Sequence, residues 1–162
     1  MRISFATLST EAKAFLSEQT DIDFNGQDME HWFCVTARND EGEIVGVIVA
    51  EPKTWFDWHL SVACTDPRCV TRKLFMTTFS TLFTQAVRIT ALIDPANERA
   101  ISNARRLGFV YEGFLRMGVE GRRDALMFGM LAEDCRFLPG FDPARVSVRS
   151  LPSGGQHHGL LA

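Results

Sequence analysis

Asn97-Glu98-Arg99-Ala100-Ile101-Ser102-Asn103-Ala104-Arg105-Arg106-Leu107-Gly108-Phe109-Val110-Tyr111-Glu112-Gly113-Phe114-Leu115-Arg116 is the stretch from which the rest of the chain can be read. Asn97 is of a type that caps helix N-termini with its side-chain oxygen. Ala100, Ile101, Ala104 and Leu107 then recur with helical spacing and form one apolar face. Gly108 stands where a helix end takes a left-handed residue, and Phe109 is placed to pack back on Ala104, as a Schellman ending prefers. Phe109 to Val119 reads as a strand, and Ala125 to Ala132 as its antiparallel partner across Glu120-Gly121-Arg122-Arg123-Asp124.

Working back toward the N-terminus, Ile89 to Ile93 is a short apolar strand ended by Asp94-Pro95. Between Val70 and Ala86, apolar residues at Phe75, Phe79, Leu82, Phe83 and Ala86 predict a helix with one buried face. Three strands precede it: His31 to Arg38, Ile44 to Ala50 and Phe56 to Cys64, the first two joined by the turn residues Asn39 to Glu43. The near-continuous apolar run Ile44 to Ala50 is of the kind buried on both faces. An amphipathic helix over Ser9 to Glu18 opens the pattern. Helix, three strands, helix, strand, helix, two strands is a mixed α/β order without internal repeat. From Cys135 onward, Pro139, Pro143, Pro152, Gly154-Gly155 and His157-His158 break the pattern. The expected division is a domain over 1–134 and an extended Pro/Gly-containing tail over 135–162.

Composition narrows the function classes. The chain has 162 residues, 46% hydrophobic with 13 Phe, enough for one domain with a sizeable core. Seventeen Lys and Arg against 20 Asp and Glu give a net charge of -3, which argues against a nucleic-acid or anionic-membrane binder. No apolar run approaches the roughly 20 residues of a membrane span, and the first residues lack a signal-type apolar region, so a cytoplasmic protein is expected. Cys34, Cys64, Cys69 and Cys135 form no C-x-x-C pair and have no histidine at metal-site spacing; reduced thiols and no metal are expected.

The segment Asn97 to Arg116, followed by Gly121, Asp124-Ala125, Met127 and Gly129-Met130, resembles the signature of the GCN5-related N-acetyltransferase (GNAT) superfamily, in its ribosomal-protein acetyltransferase-like branch. The resemblance runs from about Trp32 to Asp134 and implies a mixed, mostly antiparallel central sheet flanked by helices. It also implies acetyl-CoA as co-substrate and direct acetyl transfer to an amine acceptor, either a small molecule or a protein N-terminus or lysine.

By that resemblance, Val62, Ala63 and Cys64 lie along the pantetheine arm on a splayed strand, and the pyrophosphate loop is Asp66 to Lys73. Arg68, Cys69, Val70, Thr71, Arg72 and Lys73 are its cofactor-binding candidates, since loop amides at a helix N-terminus suit a bulky anion. The chain departs from the family here: no glycine occurs from Val47 to Leu107, and Cys69 and Thr71 stand where glycines are expected. Asn97 and Asn103 are further cofactor contacts, and Ser102 is the nearest polar candidate for the acid. Ala104 occupies the position where many members carry a catalytic Tyr. The base is sought among His31, Glu51, Asp57 and His59. His59 is preferred, because it alternates with Trp58 and Leu60 on the acceptor strand and imidazole titrates near neutrality. Tyr111 reads as a half-buried strand aromatic, and Cys64 as a cofactor-lining thiol with no histidine partner named.

The missing glycines and missing Tyr leave open a second reading. In it the chain is a catalytically inactive GNAT-like component of a larger assembly, such as a phage virion, with tail residues Phe137, Phe141, Val146, Val148 and Leu151 lying on a partner chain or a second copy.

Overall fold

The computed structural model describes residues 2–5, 8–20, 22–25 and 28–143. Among these residues, seven strands form one sheet in the order β1-β2-β3-β4-β5-β7-β6. They are β1 (Arg2–Phe5), β2 (Phe33–Arg38), β3 (Ile44–Pro52), β4 (Asp57–Cys64), β5 (Arg88–Ile93), β6 (Val110–Val119) and β7 (Arg123–Leu131). Three α-helices join them: α1 (Thr10–Thr20), α2 (Arg72–Leu82) and α3 (Glu98–Leu107). Every strand pairing is antiparallel except β4 with β5. The expected α/β, mostly antiparallel architecture is therefore the observed one. The addition is β1, whose four residues are too few to show a period.

Both faces of the sheet are covered where β3 runs, which explains its unbroken apolar sequence. Ile48 and Ala50 face the main core with Leu74, Phe75 and Phe79 of α2 and Ala104 of α3. Val47 and Val49 face a second core beneath Ala12 and Leu16 of α1, closed by Phe24 and Met29. Strand β4 divides the same way. Trp58 belongs to the main core with Leu60 packed against it, and Ala63 belongs to the second. Asp57, His59 and Ser61 alternate with Trp58 and Leu60, so they share the α1 side of the sheet.

The end of α3 is closed as its sequence requires. The Asn97 side chain accepts a hydrogen bond from the Ala100 amide at 3.0 Å. Gly108 has φ 106, and the Gly108 and Phe109 amides bond back to the Arg105 and Ala104 carbonyls. After β7 the chain folds back. Cys135 and Phe137, read from sequence as the start of an extended tail, sit in the main core instead. The Phe137 ring lies 5.7 Å from both Phe75 and Phe79, which is enough apolar contact to order the turn. Phe141 is half-buried, whereas Val146, Val148 and Leu151 lie outside the described residues.

Gly108→Ala places a Cβ on a left-handed residue, 3.4 Å from the Asp134 carbonyl. The expected loss is about 1–2 kcal/mol in urea unfolding. An unchanged midpoint contradicts the assignment of this glycine as the device that turns α3 into β6.

Candidate functional site

The pairing of β4 with β5 is brief. Asp57, Trp58 and His59 pair with Arg88, Ile89 and Thr90, and the ladder stops there. Strand β4 stays bonded to β3 as far as Cys64, and β5 to β7 as far as Ile93. The sheet thus opens between them into a V whose apex is the His59–Thr90 pair. From Leu60 to Cys64, the β5-facing edge of β4 has no strand partner among the described residues. Val62 is 43% exposed on this edge, Ala63 is buried and Cys64 is half-buried.

At the apex a polar chain crosses four strands. Thr90, buried, donates its hydroxyl to Asp57 Oδ1 at 2.7 Å and accepts from Arg88 Nε at 2.9 Å. The far end of the Arg88 guanidinium is held by both carboxylate oxygens of Glu112. A Cβ on Gly129 of β7 would run into that carboxylate, so a glycine there leaves room for the pair. The Glu112-Gly113 step, read from sequence only as part of a signature, thus supplies the arginine's partner.

His59 Nε2 lies 3.7 Å from Asp57 Oδ2, and the imidazole is 28% exposed. Burial pushes its pKa below the ordinary value of about 6.5, and the nearby Lys53 and Arg88 act in the same direction. Asp57 and Glu51 oppose them. Of the other base candidates, Glu51 pairs with Lys53, Asp57 is tied to Thr90, and His31 is exposed in a loop. Ser102 and Asn103 are exposed on α3, and among the described residues neither is hydrogen-bonded to the apex. Asn97 is engaged as the α3 cap. Tyr111 packs edge-on to Phe128 at 5.7 Å, in keeping with a strand aromatic.

The loop between β4 and α2 is closed on itself. Asp66 caps a short 3-10 turn, Pro67–Cys69, accepting from the Arg68 amide at 2.9 Å and pairing with the Arg68 guanidinium at 2.7 Å. That partner holds the Asp66 carboxyl below the usual carboxylate range. The amides of Cys69, Val70 and Thr71 bond to the carbonyls of Asp66, Pro67 and Cys69. Thr71 caps α2, its hydroxyl accepting from the Leu74 amide at 3.1 Å. The Arg72 and Lys73 amides, first in the helix, have no partner among the described residues. The Arg72 guanidinium lies 5.9 Å from the Phe137 ring and Lys73 is exposed.

The thiols are placed as packing groups. Cys69 is buried, and its Sγ would lie 2.8 Å from a Cβ on Gly46 of β3. The missing loop glycine thus has a counterpart across the sheet, where Gly46 makes room for the Cys69 side chain. Burial, helped by its hydrogen bond with Cys64, pushes the Cys69 thiol up to about 12; burial alone does the same for Cys34. Cys64 donates to the Asp66 carbonyl at 3.0 Å. A small apolar cavity of about 10 Å³, room for about one water, lies among β2, β3, β4 and the start of α2, with Val62, Cys64 and Val70 in its lining. Among the described residues no group of three His, Cys, Asp or Glu is arranged to hold a metal, and no helix is long and apolar enough to cross a membrane.

A His pKa lowered by folding makes the unfolded chain the better proton acceptor near pH 6. Through His59, stability is therefore complete above about pH 6.5 and declines as pH falls below it. An NMR titration of the His59 ring is expected to give a midpoint below 6.5, and a midpoint above 6.5 contradicts a buried, neutral imidazole.

No family model matches the chain, and no curated protein matches it. Solved structures do. A GNAT family acetyltransferase from Elizabethkingia anophelis with acetyl-CoA bound superimposes with TM-score 0.66 at 11% identity, covering 80% of this chain and 97% of the other. Mutant forms of a spermidine/spermine N-acetyltransferase from Vibrio cholerae give 0.60 at 13%, covering 80% and 95%. The ribosomal-protein-S5-alanine acetyltransferase from Vibrio fischeri gives 0.56 at 20%, covering 65% of this chain. The match spans 64% of that protein, just under two thirds of its length. With its splayed β4 and β5, this chain has the GNAT acetyltransferase fold.

Proposed function

We propose that the chain is an acetyl-CoA-dependent N-acyltransferase acting on a primary amine. The observation that carries this reading is the unpaired edge of β4 from Leu60 to Cys64, opening directly beside His59. Backbone groups on such an edge suit an extended thioester arm, and one N–H aimed at the carbonyl stabilises the charge that develops there. The exposed side chains of Val62 and Val70 offer apolar surface beside this edge for the arm's hydrocarbon portion. The residues present fit the pyrophosphate at the N-terminus of α2, through the Arg72 and Lys73 amides and side chains, rather than through a cradle of loop amides.

In the reaction the acceptor amine attacks the thioester carbonyl. The new C–N bond forms, the C–S bond breaks, and the amine's proton passes to His59 directly or through one water. The departing thiolate takes a proton from solvent, and His59 returns its own to water. A lowered pKa suits this role, because His59 is then unprotonated at neutral pH. The acceptor class is drawn from the neighbours, which are described as acting on spermidine and spermine or on an alanine of a ribosomal protein.

One observation favours the second reading, a catalytically inactive component of a larger assembly. Asp66 already occupies the anion position over the Arg68 amide, and the next three amides are bonded internally. Calorimetric titration of acetyl-CoA separates the two. The acyltransferase reading expects micromolar binding, weakened about fivefold to tenfold by Arg72→Ala, the loss of about 1–1.4 kcal/mol from one guanidinium–phosphate contact. No heat up to millimolar cofactor overturns it and leaves the assembly reading.

A further inference from the structure

We propose that Asp57 is the positioning residue of His59, a carboxylate fixed across the β4–β5 junction so that its second oxygen faces the imidazole. The assignment rests on the reading of His59 as the base. Three observations converge on it. The register pairs Asp57 with Arg88 and His59 with Thr90, placing four polar side chains on the first and last rungs of the short ladder before the strands part. Asp57 Oδ1 is held by Thr90 at 2.7 Å, with Arg88 Nε 3.7 Å away, and Arg88 is itself anchored at its other end by Glu112. Both hydrogen-bonding directions of the Thr90 hydroxyl are therefore used, and Thr90 is only 2% exposed. Oδ2, the oxygen left over, is the one that lies 3.7 Å from His59 Nε2.

That separation is ion-pair range, longer than a hydrogen bond, as catalytic contacts often are before substrate binds. Its consequence is chemical. A carboxylate facing Nε2 favours the tautomer with the proton there, which leaves the Nδ1 lone pair to accept the amine's proton. After transfer, the imidazolium charge sits beside a carboxylate that cannot rotate away. Lys53 from the β3–β4 turn and Arg88 from β5 oppose that charge, while Glu51 from β3 and Asp57 from β4 favour it. Of these charges Asp57 acts most strongly on His59, and only burial outweighs it.

The test reads the ring directly and needs neither cofactor nor acceptor. Nitrogen-15 imidazole spectra of the full chain are expected to show His59 as the Nε2–H tautomer. Asp57→Asn preserves the side-chain volume and an acceptor for Thr90 but removes the charge. It is expected to mix the tautomers and lower the His59 midpoint by about half to one pH unit. Thr90→Val, which leaves the charge but frees the carboxylate, is expected to mix the tautomers as well, whereas Thr90→Ser restores the wild-type spectrum. The Thr90 pair decides the matter if Asp57→Asn does not fold. A His59 tautomer and midpoint unchanged in Asp57→Asn, or a tautomer unchanged in Thr90→Val, overturns the proposal. Because the readout is independent of acyl transfer, a chain that passes this test yet fails to bind acetyl-CoA refutes the enzyme reading alone.

Discussion

Two parallel strands that share three rungs and then part organise this molecule. Up to His59 and Thr90, β4 and β5 belong to one continuous sheet; beyond that rung each keeps only its outer partner. Parting two strands leaves backbone groups unpaired, which a fold tolerates only where solvent or a ligand meets them. The flanking layers hold the halves in place. Helix α1 covers the β3–β4 side, while α2, α3 and the turn carrying Phe137 pack beneath the other face. The Asp57–Thr90–Arg88–Glu112 chain secures the junction itself, running from β4 through β5 to β6.

Much of this was legible in the sequence. The cap at Asn97, the left-handed Gly108 and the hairpin after Val119 are local signals, each written in residues that have few alternative uses. The alternation Trp58, His59, Leu60 likewise put His59 on the face opposite the main core. Strand β1 was not legible, because four residues carry no period. Nor was the burial of Phe137, since a Pro- and Gly-containing neighbourhood hides a contact made by sequence-distant rings of α2.

The site shows the same limit. His59 could be singled out by residue type, but its surroundings depend on register across strands far apart in the chain. Arg88, Thr90 and Glu112 gave no sign of sharing one network, although the Glu-Gly step held the one clue. The β4–α2 loop is the instructive case. Its lack of glycine reads as a defect, yet Gly46 of β3 makes room for the Cys69 side chain that stands in a glycine's place. What the loop loses is free amides, because Asp66 and the 3-10 turn bond those of Arg68 to Thr71 internally, while the Arg72 and Lys73 amides at the start of α2 have no partner among the described residues.

The central claim is that the open edge of β4 and the start of α2 together receive acetyl-CoA. Amide chemical-shift mapping with added acetyl-CoA tests it most directly. The account predicts perturbations concentrated in Leu60 to Cys64 and at Arg72 and Lys73, growing along one binding curve. Saturable shifts elsewhere with these amides still, or no shifts at millimolar cofactor, would contradict it.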